Sequence, residues 1–178
     1  MAEDKIPEGA SIERLIFDPA SHCLVALVDL QAKGGPKRGL YFRTETADYT
    51  PIVSPDNEQE IVMDAIPATE LGGVLFSIWH PGESPTSFRP GRLELFSFAS
   101  RLATTVWSLE SLQFPRAGIG WLASLLHVGE GGRVLFARLG FQEEVAEGRA
   151  QKVPYYVARI ELASAKVELT MRLEHVFH

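Results

Sequence analysis

GRLELFSFASRLATTVWSLE, residues 91–110, carries two runs rich in apolar and β-branched residues on either side of Ala99-Ser100-Arg101. Leu93 and Leu95 alternate with Glu94, the period of a strand with one buried and one wetter face. The Ala-Ser-Arg interval is short enough for a tight turn, so the stretch reads as a β-hairpin. Two strands alone are not stable in water. What else in the chain resembles this hairpin therefore decides the fold.

The likeness is internal. Gly72-Gly73-Val74-Leu75-Phe76 parallels Gly131-Gly132-Arg133-Val134-Leu135-Phe136, a glycine pair feeding the same apolar triplet. HCLVALVDL (22–30), GVLFSIWH (73–80) and RVLFARLGF (133–141) read as second strands. Each leads through a polar connection, over 31–38, 81–92 and 142–154, to a third strand: GLYFRTE, RLELFSF and YYVARIEL. A short turn and a fourth strand follow, YTPIVS, LATTVWSL and VELTMRLEHV. Ahead of each set lies one more apolar segment, IERLIFDP (12–19), EIVMDAIPA (60–68) and WLASLLHV (121–128). Segments 57–66 and 118–128 also contain helix formers, with Asp56 a candidate N-cap, but their place in the repeat favours strand.

The reading is all-β: a tail at 1–11, then one domain over 12–178, made of three four-stranded antiparallel units at about 12–55, 60–111 and 118–178. Tandem units of this kind resemble β-propeller blades. GIGWLASLLHVGEGGRVLFARLGF resembles the first two strands of blades of the WD-repeat and TolB-like type, and YYVARIELASAKVELTMRLE is similar to their outer hairpin. The resemblance implies half of a propeller and carries over no catalytic residues.

Closed propellers use four to eight blades. If each terminal sheet of a three-blade arc exposes roughly 600 Å² of apolar face, about 15 kcal/mol is forgone at ~25 cal/mol per Å². Such faces are normally covered. Two copies completing a six-bladed ring about a two-fold axis are the expectation, or a second chain supplying the missing blades. Two other architectures fit the length: a single closed barrel or sandwich, and an α+β fold with the two mixed segments as helices.

Composition narrows the function. Hydrophobic residues at 46% and charged residues at 22% are the balance of a folded protein, and a net charge of −6 without a Lys/Arg cluster opposes nucleic-acid binding. The acidic start MAEDKIPEGAS lacks the pattern of a secretory signal, and no run of 18 apolar residues is present, so a cytoplasmic location and no membrane partner are expected. The single cysteine, Cys23, precedes LVALVDL and reads as a buried hydrophobe.

His22, His80, His127, His175 and His178 are scattered without metal-ligand spacing, so no metal and no cofactor are expected. There is no Gly-x-Ser-x-Gly elbow, phosphate loop or dinucleotide fingerprint; GIG (118–120) and Glu143-Glu144 read as turn and solvated loop. The best candidates for a ligand-binding surface are Trp79, His80, Phe88 and Arg89 around the second polar connection, with Arg116 and Trp121 as a second pair. Packing between blades is the competing role for Trp79, Phe88, Trp107 and Trp121. The expected function is an interaction or small-molecule or peptide-binding scaffold, completed by homodimerisation. The alternative is a hydrolase or lyase with His80, His127, Asp64 or Arg116 converging in the channel of the ring.

Overall fold

The computed structural model describes residues 6–32, 35–53, 60–81, 88–143 and 154–173. Among these residues, twelve strands form three four-stranded antiparallel sheets in tandem, and none of them closes into a barrel. Sheet 1 holds β1 (Ser11–Asp18), β2 (Cys23–Ala32), β3 (Gly35–Thr44) and β4 (Thr50–Val53). Sheet 2 holds β5 (Ile61–Ala68), β6 (Gly73–Pro81), β7 (Phe88–Ser97) and β8 (Ala103–Ser108). Sheet 3 holds β9 (Gly118–Gly129), β10 (Val134–Glu143), β11 (Tyr155–Glu161) and β12 (Val167–Leu173). Each sheet pairs its strands in chain order, so strands consecutive within a sheet are antiparallel neighbours and each sheet is a blade-like unit.

Both segments of mixed character are strands, β5 and β9; residues 57–59 lie outside the described residues. Two of the polar connections shorten. β2 runs to Ala32 and β3 begins at Gly35, so most of 31–38 is paired, and β7 begins at Phe88 inside the expected 81–92 connection. Residues 144–153, read as a polar loop, lie outside the described residues.

The two sheet-to-sheet junctions form the core. Between sheets 1 and 2 lie Val25, Leu27, Leu40, Val62, Val74, Phe76, Ile78 and Phe96. Between sheets 2 and 3 lie Ile66, Leu75, Trp79, Leu93, Trp107, Leu125, Leu135, Leu139 and Ile160. Along β6, Val74, Phe76 and Ile78 face sheet 1, while Leu75 and Trp79 face sheet 3. A middle sheet covered on both sides has a continuous apolar run, as GVLFSIW shows.

This pairing corrects the repeat alignment. Cys23, Gly73 and Val134 each open the second strand opposite the last residue of the first, Asp18, Ala68 and Gly129. Val74 is therefore equivalent to Leu135, not to Val134, and the matching Val-Leu-Phe triplets are one residue out of register. Their faces confirm it: Phe76 turns back toward sheet 1, whereas Leu135 turns back toward sheet 2. A one-residue slip exchanges the two faces of a strand. The glycine pairs differ as well, since Gly131 and Gly132 both adopt positive φ but only Gly72 of the earlier pair does.

Glu94 departs from the alternation expected of β7. It is buried at the junction with sheet 1 beside Arg92, whose guanidinium also reaches Glu60 at 2.6 Å. The Glu60 carboxylate, with Glu94, holds Arg92 above the ordinary arginine range and so firmly charged.

The outward faces of the terminal sheets are unlike. On sheet 1, Ile12, Leu15 and Phe17 of β1 stand 47%, 55% and 58% exposed, beside Leu24 of β2. Part of the expected tail covers the rest of that face, because Ile6 and Ala10 pack on Ala26, Val28 and Tyr41. Sheet 3 does not present the purely apolar face expected. It mixes Trp121, Phe136 and Tyr155 with His127, Arg138 and Arg159.

Candidate functional site

The first strands β1, β5 and β9 share a local feature that places polar groups at the inter-sheet junctions. Each carries an irregularity at the same place, which leaves Glu13, Met63 and Ala123 unpaired. An inserted residue bends a strand and re-aims its neighbours. The residue after each is opposite the fifth residue of the second strand: Arg14 opposite Leu27, Asp64 opposite Ser77 and Ser124 opposite Arg138.

Asp64 joins all three sheets. Its Oδ1 accepts from Arg14 Nη1 of sheet 1 at 3.0 Å and from its own neighbour's amide, Ala65 N, at 2.9 Å. Its Oδ2 accepts from the Leu125 amide of sheet 3 at 2.8 Å. The same Arg14 nitrogen donates to the Ala65 carbonyl. A buried carboxylate is tolerable only with its lone pairs engaged, and these donors engage them. Arg38 adds a second tie, reaching the Glu13 carboxylate at 2.9 Å and the Met63 carbonyl at 3.2 Å, so one guanidinium holds two bulge residues.

A cavity of about 460 Å³ lies elsewhere, under the β8–β9 connection at the outer edge of sheet 3. Arg116, Arg159 and Lys166 line it together with Glu161 and Glu168. The connection is strapped to β12, with Gln113 N donating to Ala165 O and Val167 N to Gln113 O, both at 2.9 Å. Arg159 is held by Glu130 through Nε at 3.1 Å and Nη2 at 2.9 Å, a bidentate pair. No hydroxyl, thiol or imidazole stands among the lining residues, so the wall offers charge recognition rather than a nucleophile and base.

The Arg159 hydrogen bond holds the Glu130 carboxyl below the ordinary glutamate range. A depressed carboxyl stabilises the fold above its unfolded pKa, and that contribution disappears as pH falls through the folded value. Arg159→Ala is expected to return Glu130 to the ordinary range, read as an upward shift of its carboxyl carbon titration by NMR. An unmoved titration would mean that the pair is not formed in solution.

The sequence-chosen residues are dispersed. Trp79 is buried between sheets 2 and 3 and packs there, as does Trp107. His80 is opposite Arg89 and Pro81 opposite Phe88 at the end of the β6–β7 pair next to its connection; the side chains of Phe88 and Arg89 lie outside the described residues. Trp121 lies on the outward face of sheet 3, edge-on to Tyr155 with centroids 6.2 Å apart, over Gly140, where a Cβ would strike its ring. Arg116 lines the cavity, but His80, His127 and Asp64 do not. Cys23 is buried, and burial pushes its thiol pKa up.

Arg14 and Ser124 escaped the sequence reading, although a signal was present. IERL, VMDA and LASL align the three first strands and put Arg14, Asp64 and Ser124 in one polar column before an apolar residue. No group of three or more His, Cys, Asp or Glu side chains suited to a metal ion occurs among the described residues. No helix among them is long and apolar enough to cross a membrane. Compared with known families and with curated proteins, the chain matches no family model and no curated protein.

Proposed function

We propose that this chain is an interaction scaffold of the β-propeller kind, its three sheets forming half of a ring that a second copy completes in the cytoplasm. One observation carries the reading. Ile12, Leu15 and Phe17 project from the outward face of sheet 1, while the faces that sheets 1, 2 and 3 turn toward one another are buried. Covering such side chains, each already about half buried, gains on the order of 1 kcal/mol each. A ring of this kind offers its loops and channel mouth to a small molecule or peptide, and the connection end of β6–β7 with His80 belongs to that rim.

A hydrolase or lyase site in the channel would need His80, His127, Asp64 and Arg116 to converge. Arg116 alone of these lines the cavity, and the Asp64 carboxylate is occupied by Arg14 and two backbone amides. Those facts favour the scaffold. Its blades resemble those of WD-repeat and TolB-like propellers in pattern.

Light scattering across dilution tests the reading. The wild-type protein is expected at twice the chain mass at micromolar concentration. Phe17→Glu places a charge in the proposed interface and is expected to give a monomer of unchanged far-ultraviolet circular dichroism. A folded wild-type monomer at all concentrations would remove ring completion by a second copy, and would turn the search to another chain supplying the missing sheets.

A further inference from the structure

At each internal junction, one side chain of the first strand crosses to the backbone of the next sheet. Arg14 donates to the Ala65 carbonyl. Asp64 accepts from the Leu125 amide at 2.8 Å. The crossing side chain and its target recur at equivalent places, since Arg14 and Asp64 each follow the bulge residue, and Ala65 and Leu125 stand opposite Phe76 and Ala137 in the same position of β6 and β10. The third member of the series is Ser124, half-buried next to Ala123, whose side chain makes no hydrogen bond among the described residues. The residue equivalent to its target is Leu15, opposite Ala26 on the outward face of sheet 1.

We propose that the outward face of sheet 3 packs on the outward face of sheet 1 of a second copy, with Ser124 crossing to the backbone of Leu15 of the partner subunit. This rests on ring completion by a second copy and adds which faces meet. The two free faces are the two halves of a junction that the chain already builds twice. Sheet 3 supplies the side that sheets 1 and 2 present forward, with Phe136 in the place of Val25 and Leu75. Sheet 1 supplies the side that sheets 2 and 3 present backward, with Leu24 in the place of Val74 beside the exposed Leu15 and Phe17, while Ile6 and Ala10 already cover the Val28 end of that face.

The faces are complementary to each other rather than to themselves. Sheet 1 offers aliphatic side chains and Phe17. Sheet 3 offers aromatic rings and a guanidinium, Arg138, which lies 4.4 Å over the Tyr155 ring and whose buried Nε finds no hydrogen-bond partner among the described residues. A two-fold axis satisfies both free faces of both copies at once, through two identical junctions. Like-on-like contact would bury one pair of faces and leave the other pair in water.

Disulfide trapping separates the arrangements. In the internal junction, the Asp64 side chain meets the Leu125 backbone at hydrogen-bond distance, so cysteines at the equivalent pair become close neighbours across the proposed junction. Leu15→Cys and Ser124→Cys are made singly and together, with the wild type as control because its Cys23 is buried. Under mild oxidation, the mixed single variants are expected to give a covalent dimer, and the double variant a dimer linked twice. Each single variant alone is expected to stay uncrosslinked.

Self-crosslinking of Leu15→Cys alone, or a dimer by light scattering with no crosslink in the mixture, would overturn this arrangement while leaving dimerisation standing. A ladder of higher oligomers from the double variant would also overturn it, since the junctions would then propagate without closing. A monomer at every concentration would remove both the arrangement and the dimer. Thermal melting of each variant, unchanged within a few degrees, secures the comparison.

Discussion

Asp64→Ala is expected to lower the free energy of unfolding by about 3 kcal/mol, because hydrogen bonds to a charged group contribute ~1.5–3 kcal/mol and an orphaned buried amide adds its own desolvation cost. The carboxylate accepts from Arg14, Ala65 N and Leu125 N, so its removal strips one contact from each of the three sheets. Arg14→Ala should cost less, about 1 kcal/mol, since the Arg14 side chain is 43% exposed and water can replace what it loses. The difference between the two substitutions reports what the Ala65 and Leu125 amides add beyond Arg14. Urea denaturation with an unchanged m-value measures both. Equal small losses would show that Asp64 does not hold the sheets together.

Phe96→Ala is expected to cost about 4 kcal/mol, within the range for truncating a fully buried aromatic side chain. Phe96 is 1% exposed at the junction of sheets 1 and 2. Its ring centroid lies 5.0 Å from that of Phe42 in sheet 1, tilted by 40°, and 6.4 Å from Phe98, edge-on at 86°. The cavity opens where two sheets meet, and neither sheet can close it without leaving its other partners. Leu102, 65% exposed in the turn after β7, serves as the contrast: Leu102→Ala should change stability by less than ~0.5 kcal/mol. Against typical domain stabilities of about 5–15 kcal/mol, either large loss is decisive for folding at physiological temperature. A loss at Phe96 no greater than that at Leu102 would mean that the sheet 1–2 junction is not packed in solution.

The all-strand character was legible because it is local. In RLELFSF and YYVARIEL, the period of two and the β-formers sit within a few neighbouring residues, and Ala99-Ser100 and Ala163-Ser164 mark the turns. Even the mixed segment WLASLLHV proved readable as strand from its place in the repeat. Burial of Cys23 and packing of Trp107 followed from the apolar runs around them.

The candidate site was legible only in part. Trp79 has the composition of a recognition residue, yet it is buried in a cluster that also holds Leu93 and Leu139, the second of them sixty residues away in the chain. Arg14 and Asp64 lie 50 residues apart, and only the docking of β1 beside β5 gives them a common purpose. Glu94 reads as a solvated acid until Arg92 and the neighbouring sheet enclose it.

By itself the amino-acid sequence determined how many strands there are, where they turn and that they repeat three times, since those properties are carried by neighbouring side chains and a two-residue period. Tertiary structure alone decided which face of each strand looks forward and which looks back. That choice depends on pairing register: moving the Val-Leu-Phe triplet of β10 by one residue relative to β6 leaves its composition intact and exchanges its faces. The Asp64 clasp and the unlike outward faces of sheets 1 and 3 follow from that register, and neither is written in any single stretch of the chain.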